Sequence, residues 1–118
     1  MSEPSELTDM KFRSFCPIAR SLDLLGDKWT LLILRDALFF EVKTFAGFAA
    51  RPEKIPTNLL ASRLKRLVDT GLLAKVPYQA HPPRYEYLPT DRSRALIPLL
   101  RAAREYGEAH LEGRVGRE

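Results

Sequence analysis

Apolar residues recur at helical spacing over several stretches of this chain and alternate over two short ones. "PIARSLDLL" sets Ile18, Leu22 and Leu25 on one side. Pro17 suits a first helical position, where its missing N–H costs nothing, and Gly26 suits the position after the last. Asp27 reads as the N-cap of a second helix, "KWTLLILRDALFF", with Trp29, Leu32, Ile33 and Ala37 facing inward. That segment is apolar nearly all round, which places it at the centre of a core. Thr44 caps a short third segment, "FAGFAA", which Phe45 and Phe48 anchor at i, i+3.

A fourth helix opens at Pro56 or Thr57 and is closed by Thr70–Gly71. On a wheel of about 100° per residue, Leu60, Leu64, Leu67 and Val68 share one arc, with Ala61 at its margin. Asn58, Ser62, Lys65, Arg66 and Asp69 lie opposite, and Arg63 sits on the border. Two proline-bounded stretches follow, Leu72–Val76 and Arg84–Leu88, both of strand character. "PYQAHPP" between them is too long for a tight turn. Thr90 and Asp91 open a last helix that runs to about Leu111. Pro98 should kink it, since proline cannot bond the Arg94 carbonyl and its ring crowds that turn.

The expected fold is mainly α with a small β-hairpin, the layout of a winged helix-turn-helix. A chain of 118 residues fits one domain, taken as residues 14–113 between a flexible N-terminal arm, 1–13, and a frayed tail, 114–118.

Charge changes the picture of the fourth helix. From Lys43 to Arg84 there are eight bases and two acids, a net of +6, while the rest of the chain is slightly acidic. A basic middle between near-neutral ends is the footprint of a face that meets a polyanion. Along the fourth helix the small hydrogen-bonding residues Thr57, Asn58, Ala61 and Ser62 come first, and Arg63, Lys65 and Arg66 follow. Asn can pair two-handed with adenine, Ser and Thr hydroxyls meet most base edges, and an Ala or Thr methyl meets thymine. Arg and Lys neutralise phosphates, which positions a protein without reading sequence. The candidate DNA-contacting set is Thr44, Thr57, Asn58, Ala61, Ser62, Arg63, Lys65, Arg66 and Arg84, the last near the hairpin tip and suited to a minor-groove or phosphate contact. The bland alternative is a solvated face. A winged-helix module for protein or RNA partners should instead carry apolar residues or an acidic balance there.

Little points to catalysis. There is no glycine-rich phosphate loop and no activated-nucleophile motif. One cysteine and two separated histidines, His81 and His110, do not make a metal site, and no cofactor is expected. The lone Cys16 rules out an intramolecular disulfide. No apolar run approaches the roughly 20 residues needed to span a bilayer, and the polar N-terminus is unlike a signal peptide, so the expected location is the cytoplasm.

Three separated motifs, in order, resemble the HxlR-type winged helix-turn-helix transcriptional regulators. They are "CPIARSLDLLGDKWTLLILRDAL", "NLLASRLKRLVDTGLL" and "PPRYEYLPTDRSRALIPLL". Pro56 stands where that family usually has a capping Ser, leaving Thr57 as the expected cap, and Ser93 replaces a common Gly. The resemblance implies a homodimer joined through its first and last helices, with one recognition helix per subunit in successive major grooves. It also implies a regulator, read here as a repressor, on an inverted-repeat operator. The candidate interface is Ile18, Leu22, Leu96, Leu99, Leu100, Ala103 and Tyr106. The last five form one stripe with His110, which a monomer's own core could also cover. For some members the resemblance suggests redox or electrophile sensing, and Cys16 lies just before a helix with Arg13 and Arg20 near in sequence. The plain alternative for Cys16 is a small buried apolar residue.

Overall fold

A computed structural model describes residues 10–115. Helices α1 (Pro17–Leu25), α2 (Thr30–Phe39), α3 (Phe45–Ala49) and α4 (Thr57–Asp69) precede an antiparallel hairpin of β1 (Leu73–Gln79) and β2 (Arg84–Pro89); α5 (Asp91–Arg94) and α6 (Ile97–His110) follow. This is the expected winged helix-turn-helix. The proposed arm and tail fall largely on 1–9 and 116–118, outside the described residues. Within the described part, Arg13 is bonded to the Asp23 carboxylate through both its backbone N–H and its guanidinium.

The core gathers Leu25, Ile33, Leu34, Phe48, Ile55, Leu60, Leu64, Leu67, Leu72 and Leu73. Each such side chain contributes on the order of 2 kcal/mol by leaving water. α2 lies at the centre as expected, against β2, α5 and α6. Its helix proper starts at Thr30, three residues after Asp27, yet Asp27 still caps it. The Asp27 carboxylate accepts from the N–H groups of Trp29 and Thr30 and from the Thr30 hydroxyl. Gly26 is needed for space rather than for a left-handed backbone, because a Cβ there would stand 2.5 Å from the Leu22 carbonyl oxygen.

Four expectations need correction. Thr57 is the first helical residue of α4 and Pro56 holds the cap position, so no side chain caps that end. Phe45 does not anchor α3: Phe48 is buried, but Phe45 is exposed, and the Thr44 hydroxyl holds the turn by accepting from the Gly47 N–H at 3.1 Å. The strands are longer and the loop shorter than proline punctuation suggests. Pro77 pairs with Tyr85 inside the hairpin, the register shifts between Pro77 and Gln79, and only Ala80–Pro83 turn. An edge position tolerates proline because its missing N–H would face outward. Finally, Pro98 does not kink one long helix but separates two. The chain turns at Ala95–Leu96 and α6 restarts with Pro98 in its first turn, where no N–H is required. Ser93, which replaces the family's usual Gly, completes a reciprocal capping box with Thr90.

The exit of α4 is fixed by a left-handed residue. Gly71 has φ 81°, and the N–H groups of Leu72 and Gly71 return to the carbonyls of Leu67 and Val68 at 2.8 and 3.1 Å. That closure aims the chain straight into β1, so the wing follows α4 at a set angle. The Thr90 hydroxyl donates to the Gly71 carbonyl at 2.6 Å and ties the same corner to α5.

Candidate nucleic-acid interface

α4 is held from three sides, and each holds it for a different reason. Leu60, Leu64 and Leu67 bury its apolar face completely. The segment leading into it is clamped to α2 by charge: Arg35 makes a two-handed pair with Glu53 at 2.8 and 3.0 Å, and buried Asp36 faces both Arg35 and Arg51. The Arg35 contact holds the Glu53 carboxyl below its ordinary range, and Glu53 in turn raises the Arg35 guanidinium. On the third side, Arg63 donates Nε to Asp27 at 2.9 Å, and Arg66 donates Nη2 to the Asp23 carbonyl at 3.1 Å. Burial opposes ionisation of Asp27, but its bonds from Thr30, Arg63 and the Trp29 N–H outweigh that and lower its pKa.

The expected DNA-contacting residues therefore fall into groups. Thr57, Asn58, Ala61 and Ser62 are all exposed, as the helical wheel requires. Ala61 and Lys65 turn toward the wing, where they line a cleft of about 400 Å³ with Phe45, Lys75 and Tyr87. A second cleft, of about 350 Å³, shares Phe45, Lys75 and Tyr87 and adds Thr44 and Arg84. Thr44, Ala61, Lys65 and Arg84, distant in sequence, thus border two adjoining clefts between α3, α4 and the hairpin. Arg63 and Arg66 are not part of them. They turn the other way and line a recess with Asp23, Leu24 and Asp27. By the same wheel Asn58 and Ser62 occupy the crest between the two basic groups.

The wing carries more than Arg84. Lys75 lies across the hairpin with Nζ 4.6 Å from the centre of the Tyr85 ring. Tyr78 and Tyr85 are exposed, whereas Tyr87 packs on the core and its N–H donates to the Lys43 carbonyl at 2.7 Å. The Gln79 amide closes the tip by donating to the carbonyls of His81 and Pro82. Tyr78 was not singled out from sequence, because Pro77 beside it hid the continuation of the strand. Strict alternation from Lys75 would set Tyr78 on the opposite face; the register shift between Pro77 and Gln79 brings it beside Lys75 and Arg84.

Cys16 is exposed, which contradicts its reading as a small buried residue. Its neighbouring bases do not face it alone: Arg13 pairs with Asp23, and Arg20 donates to the Ser14 carbonyl while lying over Phe12 and Phe15. Among the proposed interface residues, Leu100 is buried and Leu96 packs against the core, so the chain itself covers them. Ile18, Leu22, Leu99 and Tyr106 are 72%, 54%, 43% and 60% exposed, and Ala103 is exposed too. Among the described residues no helix is long and apolar enough to cross a membrane, and no group of three metal-ligating side chains gathers.

Comparison with known proteins places the chain among helix-turn-helix proteins. Residues 24–114 match the family model of the HxlR-like helix-turn-helix. The chain is 44% identical over 94 residues to Rv3095 of Mycobacterium tuberculosis (strain ATCC 25618 / H37Rv), an uncharacterized HTH-type transcriptional regulator. That match covers 80% of this chain but spans only 58% of the mycobacterial relative's length. A relative of the same description, sll1512 of Synechocystis sp. (strain ATCC 27184 / PCC 6803 / Kazusa), is 36% identical over 82% of this chain and 71% of its own. Among solved structures, the transcription-factor candidate PA1607 superposes with a TM-score of 0.77 at 39% identity, over 90% of this chain and 72% of that one. The redox regulator HypR in its oxidized form superposes with a TM-score of 0.74 at 27% identity, over 83% of this chain and all of that one.

Proposed function

Since this chain belongs to the HxlR-like helix-turn-helix family, we propose that it is a sequence-specific DNA-binding transcriptional regulator acting as a homodimer on an inverted repeat. One observation carries the reading: the exposed crest of α4 offers Asn58 and Ser62 between two groups of bases, Lys65 with the wing on one side and Arg63 with Arg66 on the other. In a major groove the crest reads base edges while both flanks lie against phosphate strands. Lys75 and Arg84 on the hairpin extend the phosphate track toward the neighbouring minor groove.

Dimerisation is supported by α6. From Arg101 to His110 every residue except Gly107 is exposed, and one side of this stretch carries Ala103, Tyr106 and His110 in line with Leu99. An isolated helix does not hold an apolar stripe in water without a partner to cover it. Ile18 and Leu22 on α1 present a second such strip. A two-fold dimer sets its recognition helices about one helical turn apart, roughly 34–36 Å, or a multiple of that. Repression by occupancy is the regulatory output that needs no further surface. Selection of fragments from random DNA, followed by footprinting, tests the whole reading. A protected inverted repeat is expected, and uniform binding to all sequences contradicts it.

The exposure of Cys16 favours a second, compatible reading, redox regulation, since HypR is itself a redox regulator. With one cysteine per chain the switch is an intersubunit disulfide or an adduct with a small thiol; in the first, two Cys16 thiols and one hydrogen peroxide give a disulfide and two waters. Mass spectrometry under non-reducing conditions after peroxide treatment reads it directly. Unmodified Cys16 with unchanged DNA affinity ends that reading.

A further inference from the structure

Between α2 and the middle of α6 lies a cleft of about 500 Å³, a size that suits a small organic ligand. Its floor is apolar, built from Leu31, Leu32, Phe39 and Leu100, with Ala103 at its border with the exposed α6 strip. Its rim is basic: Lys28, Arg35 and Arg104 stand against one acid, Asp27. The charges differ in how far they are already neutralised. Asp27 is bonded to Thr30, the Trp29 N–H and Arg63, and Arg35 is bonded to Asp36 and Glu53. Lys28 and Arg104 make no ion pair with any acid among the described residues; Lys28 only rests its Nζ 5.1 Å over the Trp29 ring.

We infer that the α2–α6 cleft binds a small organic anion with a hydrophobic body, an aryl or branched-alkyl carboxylate. The body covers the leucine and phenylalanine floor, and the carboxylate meets the guanidinium of Arg104 and the ammonium of Lys28 at the rim. A neutral apolar ligand would leave both cations without a counter-charge, and a cation would be repelled by them. A small polar anion such as phosphate would leave the floor wet. Charge and shape together therefore select an amphipathic anion.

The test uses the full chain without DNA, so its outcome is separable from that of the DNA-binding reading. Sodium 2-naphthoate is titrated by calorimetry and followed by amide NMR, beside the neutral 2-naphthalenemethanol. Saturation at one carboxylate per chain is expected, with shifts confined to the Asp27–Phe40 and Leu100–Arg104 segments. Loss of one charge-assisted contact in Arg104→Gln should weaken naphthoate about tenfold. The exposed position of Arg104 keeps that variant folded, Arg104→Lys should recover part of the loss, and Lys28→Gln gives an independent second readout. Absence of saturation, equal binding of the alcohol, or shifts outside these two segments overturns the inference. So does occlusion of the cleft by a second copy, seen as naphthoate binding only when dilution dissociates the protein.

Discussion

The Arg63 Nε of α4 lies 2.9 Å from the Asp27 Oδ2 that caps α2, joining two helices across 36 residues of sequence. The side chains are only 25% and 29% exposed, so water screens the pair less than it would on an open surface. One carboxylate therefore both starts the central helix and fixes how α4 lies on it.

Removing either partner should loosen that orientation, but not equally. Arg63→Ala should cost about 1 kcal/mol, within the modest range of partly exposed ion pairs. Asp27→Ala should cost roughly 2 kcal/mol, because the α2 cap goes with the pair. Urea unfolding of both variants and of the double variant measures the coupling. Strict additivity would show that the pair contributes nothing of its own.

The same carboxylate imposes an acid limit. Asp27 has its pKa lowered from 3.8 in the folded chain, so the unfolded chain takes up its proton first as acid is added. The stabilisation is complete well above that value and is lost as pH falls through the lowered folded pKa. Asp27→Asn should flatten the decline in stability between about pH 5 and pH 2.5. Parallel curves for the two proteins would place the acid sensitivity elsewhere.

Base reading and phosphate contact should separate by mutation. Asn58→Ala should cost about 1–3 kcal/mol on the selected operator and far less on random DNA. Lys65→Ala and Arg66→Ala should each weaken binding to all sequences and reduce the salt slope by about one. Anisotropy titrations at several salt concentrations check both, and an equal Asn58→Ala loss on both DNAs would remove its reading role.

Charges on the exposed strip of α6 should split the dimer. Leu99→Glu with Tyr106→Glu should shift sedimentation to the monomer while circular dichroism stays unchanged, since neither side chain belongs to the buried core. A dimer that survives both changes must use another surface.

Replacing Gly71 tests the junction between α4 and the wing. Gly71→Ala forces a Cβ onto a backbone at φ 81° and should cost about 1 kcal/mol. A neutral result in thermal melts would mean that the corner relaxes without strain.

Periodicity and punctuation by themselves determined the element order, the inward arc of α4 and the polar crest opposite. These are local consequences of helical and strand geometry, and a residue's position on its own helix needs no knowledge of the rest. Even there, the ambiguous signals were prolines, whose effect depends on context. Pro77 sits harmlessly at an edge of the hairpin, whereas Pro98 ends one helix and begins the next. Only the tertiary structure decided what each base faces. Arg63 and Arg66 read from sequence as one stripe with Lys65, yet they turn to Asp27 and the Asp23 carbonyl, while Lys65 pairs with Asp69 on its own helix at the edge of the cleft beside the wing. It likewise decided that Leu96 and Leu100 serve the chain's own core while Leu99 and Tyr106 do not. A charge or a leucine announces what it can bind, but its partner comes from packing between segments far apart in the chain, and no spacing rule along one helix encodes that.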